Sequence, residues 1–497
     1  MKLSREIPPE GTVRDWLAAR ARTGGTAIVF PESGGEIDWE TLQEEAVGFG
    51  RVIAAHGATK GESVAIVAPN GRESVVALYG ALAGGFRATM INLAAGRDAI
   101  AFALEHSEAR FGYVHPDCRA LFDEANRSGV TPVAPENRVE GKLHDTLPGD
   151  HALLMYTSGT TGRPKGVVHS HASLLAGGWT SAVAHDLSPD DRGFCVLPIY
   201  HINGLCVTLM GSLVSGGSLA MTSRFSASKF WQQASESRVT WFSVVPTIIS
   251  HLLHGDAGPD AECRGRLRFG RSASSALATE TQSAFEARFS VPIIETMGLT
   301  ETAAQILSNP LPPAPRKIGS PGIASGCDVE IQDGDGATVP RGAAGEIVVR
   351  GPNVMVEYLK NPKATGEILR GGWLRTGDLA HMDEQGYVFV TGRLKELIIK
   401  GGENIAPREV DEALYGHPDV VEAAAFARKC ARYGETVEAA VRVRSGSLLD
   451  ASELLALCRQ RLGDFKAPDA IHFLDELPKG PSGKIQRLRL ADVVPNS

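Results

Sequence analysis

Residues 152–185 read "ALLMYTSGTTGRPKGVVHSHASLLAGGWTSAVAH". An apolar run leads into a loop of Gly, Ser and Thr closed by Pro-Lys-Gly, and the helical pattern "HASLLAGGWTSAVAH" follows. Short β-like runs that alternate with helical patterns argue for parallel sheets with helices on their faces. The unit recurs along the chain. "ESVAIVAP" precedes "ESVVALYGALAGG", "TWFSVVP" precedes "TIISHLLHG", and "LRFGRSAS" precedes "TETQSAFEARF". The pattern predicts an α/β fold of doubly wound sheets, whose ligands gather at loops beyond the strands' carboxyl ends. The loop "YTSGTTGRPKG" at 156–166 has such a position. Its glycines would let backbone N–H groups converge on phosphate oxygens, so oligophosphate binding is the first expectation. It is not a Walker A loop, which needs G-x-x-x-x-G-K-[ST].

After about residue 320 the texture changes. "DVEIQDGDGATVPRGAAGEIVVRGPNVMVEYL" has short strands punctuated by Gly, Asp and Pro, as in a small antiparallel, barrel-like subdomain. From about 395 short strands and helices mix again: "EVDEALYGHP", "VVEAAAFAR", "ETVEAAVRVR", "ASELLALCRQRL". A tail of this length can fold as its own α+β domain. The expected division is therefore 1–393 and 394–497, with the boundary inside "TGRLKELIIKGGEN".

At 497 residues, 43% of them apolar and 22% charged, the chain is an ordinary globular protein of two or three domains. A net charge of −8 argues against nucleic acid as the main partner. The opening "MKLSREIPPEGTVRDW" lacks the apolar segment of a signal peptide, and no long apolar run suggests a membrane span. Seven cysteines are scattered without a C-x-x-C pair, which fits reduced thiols better than disulfides or zinc. The expected location is the cytoplasm. A homodimer is left open.

Six segments stand together: "YTSGTTGRPKG" (156–166), "LPIYHINGL" (197–205), "ETMGLTE" (295–301), "WLRTGDLA" (373–380), "GRLKELIIKGGENIAPREVDEAL" (392–414) and "LPKGPSGKIQR" (477–487). In this order and spacing the chain resembles the adenylate-forming superfamily of acyl-CoA synthetases, luciferases and adenylation domains. The resemblance implies a large N-terminal domain, a mobile C-terminal lid, and two half-reactions. A carboxylate first attacks the α-phosphate of ATP with magnesium bound, giving an acyl-adenylate and pyrophosphate; the thiol of coenzyme A then takes the acyl group. A carrier-protein phosphopantetheine thiol is the alternative acceptor. A non-catalytic nucleotide-binding regulator would require erosion of Lys484, Glu301 or Asp378, and all three are present.

By the same resemblance Thr157, Ser158, Gly159, Thr160, Thr161, Gly162 and Lys165 cradle the β- and γ-phosphates. Glu301, with Thr160, is the magnesium-binding pair, and Thr300 reaches the α-phosphate. Asp378 holds the ribose hydroxyls and Arg393 gives a second ribose contact. Taken alone, those two would pass for a surface ion pair, and Lys484 for a solvated loop lysine. In this company Lys484 is the lysine that bridges the substrate carboxylate and the α-phosphate. Lys395 takes the hinge position, and Gly401, Gly402 and Glu403 serve the thiol step along the coenzyme A tunnel.

His201 resembles the gate beside the acyl site, where a packed core histidine is the plain reading. "HINGLCV" carries no acidic residue, which speaks against an amino-acid substrate. The finer resemblance is to the oxalyl-CoA synthetase branch and its small-acid neighbours. There Asn203, Ser272, Ser274, Gly298 and Gln305 would line the acyl end, although strand-end capping is an equal account of the serines. Two departures stand out. Ala304 replaces the branch's histidine for the second carboxylate of oxalate, and Met297 replaces the aromatic that stacks on adenine. A thioether still packs on the base. A small or medium polar carboxylic acid is the expected substrate.

Overall fold

A computed structural model describes residues 1–135, 141–157, 164–480 and 484–495. Two large sheets form the N-terminal part. In the first, strands run in the order Glu357–Tyr358, Lys165–Ser170, His151–Thr157, Arg87–Met90, Ser63–Val67, Phe111–Val114, Thr131–Pro132. In the second, Phe269–Ser272 lies between Trp241–Val244 and Ile293–Leu299, all three parallel. The strands Ser63–Val67 and Arg87–Met90 are buried throughout, as strands covered on both faces of a parallel sheet should be, although Arg87 and Thr89 are polar.

The helices Arg72–Gly84 and His171–Ala184 are apolar or small on nearly every face, and both are buried almost all round. A helix of that composition has no solvent side to present and must lie inside. Their residues join both sheets in one core, with Leu78, Tyr79, Leu82, Leu174 and Leu175 beside Leu153 and Ile294. The segment Asn203–Met210, which carries the expected acyl-site asparagine, is a buried π-helical turn, a form common at functional sites.

The expected alternation holds with one addition. The glycine-rich loop does not run from strand to helix. It joins His151–Thr157 to an antiparallel strand, Lys165–Ser170, with Thr157 opposite Lys165, and only then does the helix begin. "KGVVHS" is short and merges into the helical pattern, so its pairing shows only in three dimensions. The "GLTE" motif is built alike. Ile293–Leu299 turns through Thr300–Thr302 into the antiparallel Ala304–Ser308.

Asp328–Gln332, Gly345–Arg350, Trp373–Met382 and Val388–Arg393 form the antiparallel subdomain. "EY" at 357–358 does not join it; these residues pair with Lys165–Ser170 in the first sheet, which brings Tyr358 beside Lys165 and Glu301. Past Arg393 the chain enters another sheet at Ile398–Lys400, with Glu403–Ile405, Val420–Cys430, Gly434–Val443 and Ala470–Phe473. Two helices, Pro407–Tyr415 and Ala451–Lys466, and a core around Val410, Leu414, Val437 and Leu454 complete this α+β unit.

The "GLTE" hairpin closes very tightly. A Cβ at Gly298 would stand 1.4 Å from the Ala304 carbonyl oxygen, and the backbone beyond is bent through positive φ at Ala303 (46°) and Ala304 (105°). Only glycine fits at 298. Gly298→Ala is expected to destabilise the fold by about 3 kcal/mol or more, read as a lower midpoint in thermal unfolding. An unshifted midpoint would mean that the hairpin opens freely.

Candidate active site

The carboxyl ends of the second sheet's parallel strands meet the antiparallel subdomain and the C-terminal unit around a cavity of about 280 Å³. Ser274, Met297, Gly298, Asp378, Arg393 and Lys484 all line it. These residues come from four of the six quoted segments and from the strand end at Ser274. Lys484 is more than 90 residues beyond Arg393 in sequence.

Asp378 and Arg393 face each other across neighbouring antiparallel strands. Arg393 Nε donates to Asp378 Oδ1 at 2.7 Å. Asp378 is buried, and its second oxygen, Oδ2, accepts no hydrogen bond. A buried carboxylate oxygen without a donor is costly unless a ligand supplies one. Two ribose hydroxyls are donors of that kind. Burial pushes the Asp378 carboxyl above its ordinary value, opposed by the charges of Arg393 and Lys484. The loop before it is fixed by Glu346, which accepts from the Gly377 amide at 2.8 Å and from Arg375 Nε at 2.8 Å.

Lys484 is held through its backbone: the Gly480 amide donates to its carbonyl, and the Gln486 amide donates to the Pro478 carbonyl, both at 2.7 Å. Arg487 ties the segment after Lys484 down, with Nη2 on Asp411 Oδ2 at 2.7 Å and Nε on Glu396 Oε2 at 3.3 Å. Burial and the nearby Arg393 charge lower the Lys484 ammonium to about 8, while Asp378, Glu301 and Glu396 act in the other sense. A lysine near 8 is still largely protonated at neutral pH.

Glu301 is held from two sides. Tyr358 donates its hydroxyl to Oε1 at 2.7 Å, and the Met355 amide donates to the Glu301 carbonyl at 2.8 Å. The Lys165 ammonium lies over the Tyr358 ring, 4.6 Å from its centroid, a cation–π contact. Sequence reading named Lys165 and Glu301 but missed Tyr358, because "VEYL" looked like part of the subdomain. His169 was missed as well. Burial holds its pKa at about 4, so it is neutral; Nε2 donates to the Thr300 carbonyl at 2.6 Å, and Nδ1 faces Ser173 Oγ at 3.1 Å. A single carboxylate fits magnesium, which keeps several waters and takes substrate phosphates as its other ligands. No cluster of three or more His, Cys, Asp or Glu able to hold a metal occurs among the described residues.

The remaining expected residues divide. Ser158, Gly159, Thr160, Thr161 and Gly162 lie outside the described residues, so the proposed Thr160 ligand does too. Asn203 Nδ2 donates to Ser274 Oγ at 3.2 Å, one layer behind the cavity. Ser272 Oγ is buried and makes no hydrogen bond, so it caps nothing. Gln305 is fully buried, with Oε1 between Arg271 and His185. His201 is not among the residues lining the cavity; its ring meets the Tyr200 ring edge-on at 5.0 Å. Gly401 (φ 60°) and Gly402 (φ 88°) form the two-residue turn between Ile398–Lys400 and Glu403–Ile405. Two consecutive positive φ values already require glycine in such a turn, and the turn, with Glu403, is exposed away from the cavity.

An orphan acceptor, a lysine and an arginine gathered round one cavity define a site where a nucleotide and a second anion can meet. Residues 16–359 match the family described as AMP-binding enzyme, and 409–484 match the AMP-binding enzyme C-terminal domain. The chain belongs to the AMP-binding enzyme family. It is 45% identical over 479 residues to a sulfoacetate–CoA ligase of Cupriavidus necator, covering 93% of this chain and 94% of that protein. It is 34% identical over 458 residues to an oxalate–CoA ligase of Arabidopsis thaliana, covering 88% and 89%. Among solved structures, the O-succinylbenzoate coenzyme A synthetase (MenE) of Bacillus subtilis, in complex with ATP and magnesium ion, superposes with a TM-score of 0.86 at 28% identity, covering 97% and 100%. No helix among the described residues is long and apolar enough to cross a membrane.

Tyr358→Phe removes one hydrogen bond to the Glu301 carboxylate and little volume. The magnesium concentration for half-maximal pyrophosphate release is expected to rise about tenfold, with the thermal midpoint almost unmoved. An unchanged magnesium requirement would take Tyr358 out of the site.

Proposed function

We propose that this chain activates a small, polar carboxylic acid at the cavity between Asp378, Met297 and Lys484. It is an AMP-forming acid–CoA ligase that uses ATP, magnesium and coenzyme A. The observation that carries the site assignment is the presence of Lys484 in the same cavity as Asp378, Arg393 and Met297.

In the first half-reaction a carboxylate oxygen attacks the α-phosphorus and pyrophosphate leaves. Two unit charges 4 Å apart repel by roughly 4 kcal/mol at an effective dielectric of 20. Lys484 answers that repulsion as a mobile-headed cation between the carboxylate and the α-phosphate, where charge develops in the transition state. Asp378 Oδ2 receives the ribose hydroxyls, Arg393 holds the other carboxylate oxygen, and Met297 packs against the base. Lys165 and Glu301 face the distal phosphates. Bound at Glu301, magnesium would supply neutralising charge for those phosphates. In the second half-reaction the coenzyme A thiolate attacks the acyl carbonyl and AMP leaves.

Residues 1–393 act as the body and 394–497 as a lid pivoting at Lys395. The change of sheet between Arg393 and Ile398 supports that division. The lid presents Lys484 in the pose described above, and a rotation would bring Gly401, Gly402 and Glu403 to the thiol step instead. Hinges are element-terminal residues of this kind. The acyl end is polar: Ser272, Ser274, Asn203 and Gln305 stand at or behind its wall. The cytoplasm is the compartment that supplies ATP and coenzyme A together with reduced thiols.

The reading is tested by pyrophosphate release across a panel of short mono-, di-, hydroxy- and sulfo-acids, each with and without coenzyme A. Release with at least one short polar acid, and thioester only when coenzyme A is added, is expected. Failure with every acid would overturn it. Lys484→Ala is expected to slow adenylate formation about 10²–10³-fold, a loss of roughly 3–4 kcal/mol, and to spare thioester formation from preformed adenylate. Because its pKa is lowered to about 8, the protonated lysine is lost as pH rises through that value. The kcat/KM for ATP should therefore fall above about pH 8, and Lys484→Arg should remove that limb. Equal loss in both half-reactions would make Lys484 structural.

A further inference from the structure

Behind the acyl end of the cavity lies a charge with no counter-charge. Arg271 is 1% exposed. Its Nη1 donates to Asn203 Oδ1 at 2.7 Å and to Ser243 Oγ at 3.0 Å, and its Nε donates to Gln305 Oε1 at 3.3 Å. All three partners are neutral. Among the described residues no carboxylate acts on this guanidinium, and its Nη2 has no hydrogen-bond partner. His185, the other group on Gln305 Oε1, is held neutral by burial. Fully buried arginines are rare unless paired, because desolvating an uncompensated cation is very unfavourable.

The link from this charge to the cavity is short. Asn203 turns its carbonyl oxygen to Arg271 and its amide N–H to Ser274 Oγ at 3.2 Å. Ser274 lines the cavity that holds Lys484. The amide dipole therefore presents its positive end towards bound acid, in the field of a cation in a low-dielectric surrounding.

We propose that Arg271 selects the acid: the substrates are short dianions, whose second anionic group, carboxylate or sulfonate, sits at the Asn203–Ser274 end of the cavity and is balanced by the buried guanidinium. Arg271 is a positioning residue that acts through Asn203 and Ser274. The proposal rests on the acid–CoA ligase reading and adds which acids are taken. It accounts for a cation at each end of the acyl site, Lys484 for the reacting carboxylate and Arg271 for the distal group. It also supplies a cation for the distal group where Ala304 leaves no side chain able to do so.

The experiment compares kcat/KM for pyrophosphate release with matched acids, sulfoacetate and malonate against propionate and butyrate. The wild-type enzyme should favour the dianions, and in Arg271→Met the dianion-to-monoanion ratio should fall at least about 50-fold, mainly through KM. Arg271→Lys should restore part of that ratio. A difference between sulfoacetate and malonate would tell sulfonate from carboxylate. A wild-type preference for monoanions would overturn the proposal and leave the ligase reading standing, and it needs no variant to fold. Equal losses on both acid classes in Arg271→Met would also overturn it, marking a structural arginine. No release with any of the acids would defeat the ligase reading itself.

Discussion

A carboxylate and a triphosphate must come within bonding distance, and each repels the other. Their repulsion at contact, several kcal/mol even in a well-screened site, constrains every part of this protein. Cations have to stand where the charges converge, yet a site already crowded with cations would be destabilised before substrate arrived. The structure resolves this by pairing. Arg393 is balanced by Asp378 at 2.7 Å, and Lys484 feels Asp378, Glu301 and Glu396 together. One oxygen of Asp378 is nevertheless left without a donor. The empty valence at Asp378 and the lowered lysine are two sides of one arrangement, in which substrate groups complete what the protein leaves unmet.

Precision in that arrangement comes from hairpins rather than from loops alone. Lys165 lies opposite Thr157, Asp378 opposite Arg393, and Lys484, whose carbonyl accepts from the Gly480 amide, stands three residues before Arg487, which is held by Asp411. Ladder hydrogen bonds fix each functional side chain's register, so a one-residue slip would turn it to the wrong face. The tight approach of Gly298 to Ala304 does the same for Thr300 and Glu301. Tyr358 then joins two of these units, with its hydroxyl on Glu301 and its ring beneath Lys165. Lys165, at the end of the glycine-rich loop, and the Glu301 carboxylate are thereby coupled through one buried phenol.

At the acyl end the balance is different. Arg271 is buried among neutral amides and hydroxyls. A protein retains so unfavourable a group when something else offsets it, and an anionic ligand is the natural candidate. The two ends of the acyl site are then chemically distinct: a lysine whose pKa is lowered by burial for the reacting group, and a guanidinium fixed among amides and hydroxyls for recognition.

Much of this was legible in the chain itself. Alternating apolar and helical runs determined the doubly wound class, because periodicity follows from what each element must bury. The six segments, with Lys484, Glu301, Asp378 and Arg393 in them, carried the resemblance that implied an acid–CoA ligase, and the family match bears out that class. Pairing over distance was not legible. "KGVVHS" and "EY" are too short to announce themselves as strands of one sheet, so Tyr358 passed as part of the subdomain. Arg271 was overlooked because a charge inside "LRFGRSAS" reads as a solvent-facing strand residue until burial shows that it faces inward. Tertiary structure alone decided which charges are compensated, since a residue's partners depend on distances across the fold, and those are set by packing between segments hundreds of residues apart.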